Sequence, residues 1–166
     1  MQGRTFSSRE KAIRRFRRRF ELIDGMPARA SVVCLAARRG EEVEALIGLG
    51  YFAVGIDLNP GAENPYVVTG DFHALQFADA SVDCVYTNSL DHAFDLPQIL
   101  SEVRRVLKPR GLFVVDIVYG HEEGYIVGDH DAMHWGRSED FAKHLAATGG
   151  FRLETFKELA AHGSEF

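Results

Sequence analysis

The sequence predicts a doubly wound α/β fold on a mostly parallel sheet, and three observations predict it. From residue 30 onward short apolar runs alternate with helical segments; the central runs are apolar throughout; and turn residues mark nearly every boundary. Strands buried on both faces need helices on both sides, so a three-layer sandwich is expected. The 166 residues, 46% hydrophobic and 26% charged, suit one domain spanning 1–166. A domain of this size buries roughly 70% of its unfolded surface, enough to fold without a disulfide or a structural metal.

The elements follow in order. Residues 1–25 are predicted as a basic amphipathic helix: Ile13, Phe16, Phe20 and Ile23 share one helical stripe, with Ser7 or Ser8 as the cap. Residues 1–20 carry a charge of +7, so the remainder carries −12 of the net −5. The acidic body of the same chain is therefore the matched surface for this helix to cover. A basic run with no aromatic-rich base-reading module after it weighs against nucleic acid as the partner. Within the core, 30–118, Ala30 to Ala36 reads as the first strand, Glu41 to Leu49 as a helix ended by Gly50, and Tyr51 to Asp57 as the second strand. Asn59-Pro60-Gly61 is a strong turn, and the eight residues between Asp57 and Tyr66 are too few for a helical crossover, so an extended one is expected. Tyr66 to Thr69 and Ser81 to Thr87 supply the third and fourth strands. Asp95 and Gln98 form a predicted capping box for a helix with Leu96, Leu100, Val103 and Leu107 on one face; Pro109 and Gly111 stop it, and Leu112 to Val118 is the fifth strand. In 119–166 the pattern predicts an irregular segment, a helix capped by Ser138 and ended by Gly149-Gly150, and a final, sixth strand over Phe151 to Phe156.

Composition excludes several function classes. Cys34 and Cys84 sit singly inside apolar runs, without the spacing of a zinc site or a disulfide framework, and are expected as buried thiols of a reducing, cytoplasmic setting. No apolar stretch approaches the ~20 residues of a membrane span, and arginines stand where a signal core would lie.

In sheets of this kind ligands bind beyond the carboxyl ends of the strands, where strand order reverses. Asp57, closing the second strand, is placed either to accept two hydrogen bonds from ribose hydroxyls or to bond the amides of its own turn. A nicotinamide-dependent oxidoreductase would use such a carboxylate too, but Ala36 to Gly40 lacks the GxGxxG turn that accommodates a pyrophosphate.

Taken together, residues 30–118 resemble a class I S-adenosylmethionine-dependent methyltransferase of the compact small-molecule type. Val32 to Gly40 occupies the place of its first glycine-rich motif, Gly55-Ile56-Asp57-Leu58 its acidic second strand end, and Gly70-Asp71-Phe72 its third signature. Phe77 to His92 is similar to its fourth-strand motif, and Glu102 to Leu112 to its helix-to-strand-five signature. The resemblance implies a Rossmann-like fold, S-adenosylmethionine as cofactor and a small-molecule methyl acceptor. It implies Ala36, Ala37, Arg38, Gly40, Asp57, Leu58 and Asn88 around the cofactor, Asp71 on the adenine amino group and Phe72 on the ring. His92 is the candidate acid/base and Asp91 its orienter, against the alternative that both cap a turn.

The first motif departs from the pattern: Cys34 stands where the family has an acid, and Ala36 and Arg38 where it has glycines. Because arginine enters positive φ at a cost, the loop is expected to take another path or to fill part of the cofactor volume. Arg38 or Arg39 could pair with the methionine carboxylate or face solvent. The alternative function is thus a catalytically degenerate binding or assembly module. In 119–137, Tyr125 and Trp135 offer flat acceptor surfaces, while Asp129, His130, His134 and Glu122 form a scattered set from which no metal is expected. The family's seventh strand is expected to be missing, leaving an edge for a homodimer.

Overall fold

The computed structural model describes residues 7–126 and 132–157. Five parallel strands form one sheet in the order β3-β2-β1-β4-β5: β1 (Ser31–Leu35), β2 (Phe52–Asp57), β3 (Val67–Thr69), β4 (Val82–Thr87) and β5 (Leu107–Val115). Strand order reverses between β1 and β4, the place where such sheets open a crevice at their carboxyl ends. Helices α1 (Ser8–Phe20) and α2 (Glu41–Gly48) cover one face, α3 (Leu96–Val106) and α4 (Ser138–Gly149) the other. The three-layer expectation holds.

Local chemistry explains the elements. Ser7 caps α1 in a full capping box with Glu10, and Phe16 and Phe20 bury against Tyr86, with Ile13 and Ile23 partly buried beside them. Arg19, on the same helix, pairs with Asp116 just beyond β5. The crossover from β2 to β3 carries no helix, as the short spacing requires, but it turns at residues 62–63 instead of running extended. Cys34 and Cys84 are both buried, and burial pushes the Cys84 thiol up to about 12.

Four expectations need correction. Phe151 to Phe156 is not a strand: Phe151 donates its N–H to Ala146 O and packs on Phe113, Leu153 is exposed, and Lys157 reaches Asp24 at 3.2 Å. A period of two forms a strand only where a sheet edge takes up the ladder, and here only Phe151 and Phe156 find partial cover. Among the described residues β5 therefore pairs on one side only, with β4. Ser138 is the first residue of α4 and not its cap; its N–H and hydroxyl both donate to Glu123. The Asp95–Gln98 box is half formed: Asp95 accepts the Gln98 N–H, but the Gln98 side chain donates instead to His73 O at 2.9 Å. Finally, α3 ends at Val106 and the chain enters β5 directly at Leu107, with an irregularity between Val82 and Cys84 absorbing Pro109 to Gly111.

Candidate functional site

The loop from β1 to α2 builds the crevice, and it does so without the expected glycines. Ala36, Arg38 and Gly40 have φ of 54°, 37° and 75°. The loop thus takes the left-handed region at alternate residues, the arginine at position 38 included. For an L-residue this conformation costs roughly 1–2 kcal/mol per position. Two contacts hold the path. Ala37 is buried and donates its N–H to Ile56 O at 3.0 Å, an approach open only because position 55 is glycine: a Cβ there would stand 2.6 Å from that of Ala37. Gly40 likewise meets Tyr66, where an added Cβ would lie at 2.8 Å.

Asp57 fastens the other side. Its Oδ2 accepts the Arg38 N–H at 2.9 Å and its Oδ1 the Asn59 N–H at 2.8 Å. One carboxylate thus clamps both loops of the crevice, and each oxygen keeps lone-pair capacity for a further donor. The turn-capping alternative is therefore real without exhausting the group. Leu58 beside it is exposed. Arg38 and Arg39 are exposed, with Arg39 on Glu41 at 3.2 Å.

The remaining predicted residues sit along the same rim. Asp71 Oδ1 accepts from the His73 N–H and faces its Nδ1 at 2.8 Å; the His73 backbone N–H, then its ring, hold the Asp71 carboxyl below its ordinary range. Phe72 is partly buried and lies 4.8 Å from the His73 ring. Asn88 Oδ1 accepts the Ser89 hydroxyl at 2.9 Å. Asp91 and His92 form a short 3-10 turn after β4, with His92 Nε2 3.7 Å from Asp91 Oδ2 and the histidine half exposed. The Asp91 carbonyl accepts the N–H groups of Ala132 and Met133, which ties this turn to the segment ahead of α4.

That segment walls a cleft of about 490 Å³ with Leu96, Met133, Trp135 and Phe141 as its apolar surface and His134 and Arg137 among its polar residues. The Trp135 ring stacks flat on Phe141 at 3.9 Å and donates Nε1–H to Val118 O. Asp129 and His130 lie outside the described residues. Among the described residues no cluster of three or more His, Cys, Asp or Glu side chains is arranged to hold a metal ion.

Two residues that sequence reading passed over stand out. Glu42 is 5% exposed, and burial pushes its carboxyl up to about 7. Its position on the apolar stripe with Ala45, Leu46 and Leu49 was the available signal. Arg15 has a buried Nε with no hydrogen-bond partner, and nothing in a run of arginines distinguishes it. The carboxylate of Asp57 keeps acceptor capacity at the tip of β2, the end of the sheet at which folds of this class bind ligands.

Comparison with known proteins identifies the domain. Residues 33–115 match the family described as methyltransferase domain. The chain is 39% identical over 69 residues to a malonyl-[acyl-carrier protein] O-methyltransferase of Coxiella burnetii, covering 39% of this chain and 24% of that one. It is 33% identical over 116 residues to a sterol 24-C-methyltransferase of Yarrowia lipolytica, covering 59% and 29%. The chain thus spans about a quarter of the length of the curated relatives it matches. A solved S-adenosylmethionine-dependent methyltransferase of Archaeoglobus fulgidus superposes with a TM-score of 0.67 at 23% identity, covering 88% of this chain and 70% of that one.

Proposed function

Because this chain belongs to the class I S-adenosylmethionine-dependent methyltransferase family, we propose that it transfers a methyl group from S-adenosylmethionine to a small-molecule acceptor. The observation that carries the proposal is the Asp57 clamp: a carboxylate at the tip of β2, fixed by amides from both crevice loops, with acceptor capacity left for two ribose hydroxyls. Asp71 and Phe72 on the neighbouring loop would meet the adenine, and Ala36 to Gly40 the methionine end, with Asn88 lining the pocket.

S-adenosylmethionine supplies an activated methyl group on a sulfonium, so the chain's task is to hold the acceptor in line with it and take a proton where the acceptor must lose one. His92 is the group for that proton, and Asp91 would orient its ring. The cleft beside them supports an acceptor with an apolar, flat body, since Trp135 and Phe141 form a slab and Leu96 and Met133 complete an apolar lining. The relative named for sterols supports an acceptor with an apolar body, and the one named for malonyl-acyl carrier protein differs from it in the atom methylated. We extend the proposal to a homodimer formed along the edge of β5 that pairs with no strand among the described residues, which sedimentation would test. No helix among the described residues is long and apolar enough to cross a membrane.

The test is calorimetric titration with S-adenosylmethionine, S-adenosylhomocysteine and NAD, followed by turnover on an acceptor panel. The expected result is one-site binding of both sulfur nucleosides, none of NAD, loss in Asp57→Ala, and methyl transfer that falls at least tenfold in His92→Ala. Binding without turnover across the panel would favour the degenerate binding module; no binding at all would overturn the proposal.

A further inference from the structure

The β1–α2 loop takes its path from residues that lie outside it. At Arg38, left-handed at φ 37°, both backbone groups are held from the β2 side: the N–H donates to Asp57 at 2.9 Å, and the carbonyl accepts from Asn64 Nδ2 at 3.1 Å. The next carbonyl, that of Arg39, accepts from Nη1 of Arg9 at 3.1 Å, out of the first turn of α1. Asn64 lies 26 residues after Arg38 and Arg9 30 residues before Arg39, so no local preference of the loop supplies these bonds.

Asn64 is built for this place. Its Oδ1 accepts the Tyr66 N–H at 3.0 Å, while its Nδ2 donates to Pro60 O at 3.0 Å as well as to Arg38 O. Two carbonyls on one side and an N–H on the other admit a single orientation of the amide. Arg9 is fixed as firmly. Its Nη2 donates to Glu44 at 2.8 Å, its Nη1 lies 3.5 Å from Glu41, and its guanidinium stands over the Tyr66 ring, 5.8 Å from the centroid. Tyr66 is also the residue that Gly40 meets. Two straps, one from the β2–β3 crossover and one from α1, thus converge on Tyr66 and grip successive carbonyls of one loop.

The cost of one left-handed L-residue and the net contribution of one hydrogen bond are of the same size. With two such residues, Ala36 and Arg38, the observed path of the loop and a relaxed one lie close in free energy, and the straps tip the balance.

Resting on the cofactor reading above, we infer that Asn64 and Arg9 are positioning residues for the nucleoside: by holding the carbonyls of Arg38 and Arg39 they keep the loop in the path that walls the crevice beside Asp57. Neither needs to touch the ligand. Helix α1 is then part of the frame of the binding site as well as a cover for the sheet.

Two readouts on the full chain test this. The amides of Ala37, Arg38 and Gly40 donate to Ile56 O, Asp57 and Ala37 O, so their hydrogen exchange in the empty chain reports opening of the loop. Asn64→Ala, and Arg9→Met, which keeps an unbranched apolar stem without the donors, should each speed exchange at these amides and leave β1 and β4 unchanged. Each should weaken S-adenosylhomocysteine roughly three- to tenfold in calorimetric titration, by lowering the fraction of chains whose loop is in place. Glycine at position 38 enters the left-handed region freely. In an Arg38→Gly background, Asn64→Ala is therefore expected to weaken binding by less than about twofold relative to Arg38→Gly alone. A loss of the same size in both backgrounds, or faster exchange throughout β1 and β4, would overturn the inference by assigning Asn64 to the fold at large. If the parent binds no S-adenosylhomocysteine, the cofactor reading falls and this assignment with it; if the parent binds and both variants bind as tightly, this assignment alone falls.

Discussion

The two ends of the sheet treat charge in opposite ways. Where β4 begins, Arg105 donates to both oxygens of Glu102, to Asp79, and to the carbonyls of Leu75 and Phe77, all between 2.7 and 2.8 Å. Glu102 in turn accepts the Leu75 N–H. Beside it, Asp83 binds Lys108 at 2.9 Å and both the N–H and hydroxyl of Ser31; these partners, Lys108 first, hold its carboxyl down at about 2. At the other end the buried carboxylate of Glu42 lies among the like charges of Glu41 and Asp57, with Arg9 as the cation in reach. Backbone strain does not separate the two ends, since Arg29, Ala80 and Arg110 have positive φ at one and Ala36 and Arg38 at the other. A buried carboxylate among like charges does separate them, and it lies at the end where sheets of this class bind ligands.

The comparison can be broken first where the expected effect is largest. Arg105→Ala should destabilise the chain by about 2–3 kcal/mol in urea unfolding, because it strands Glu102 and two carbonyls at once, while S-adenosylhomocysteine affinity stays within twofold. A loss of affinity with little loss of stability would mean that the ends are not separate.

Glu42→Gln should behave in the reverse way. The folded-state carboxyl is raised, burial being the first cause, so the folded chain binds a proton between pH 4.5 and 7 that the unfolded chain has released. Stability from this group is present below that window and lost as pH rises through it. The variant is therefore expected to gain on the order of 2 kcal/mol over the parent at pH 8 and nothing at pH 4.5, read from urea midpoints at the two values.

Asp83→Asn is smaller, about 1 kcal/mol, since the Lys108 side chain is 43% exposed and water screens the pair. The folded pKa is depressed, so this stability is present above about pH 4 and fades as pH falls toward 2; the difference between variant and parent should shrink over that range.

How much of this was legible in the sequence depends on what kind of signal each feature leaves. The parallel sheet and the helix-free β2–β3 crossover follow from apolar runs and spacing, which are local. Asp57 was legible because a strand end fixes its position. The left-handed Ala36 and Arg38 were not, because their φ is imposed by packing against Gly55 and by the Asp57 clamp, both distant in sequence. The run at Phe151 to Phe156 failed for the same reason in reverse: its local alternation was sound, but no edge took it up. Arg15 was invisible, since burial of a single nitrogen has no sequence signature. The smallest prediction sharpens the point about the loop: Arg38→Gly relieves φ strain but loosens the unfolded chain, so its stability should lie within about 1 kcal/mol of the parent.

The most direct measurement is amide hydrogen exchange with and without saturating S-adenosylhomocysteine. Added protection should appear at residues 36–42 and 57–59, while exchange at residues 79–83 and 105–111 stays unchanged. No added protection, or protection gained at the Arg105 and Asp83 end, would contradict the assignment of the ligand to the carboxyl ends of the strands.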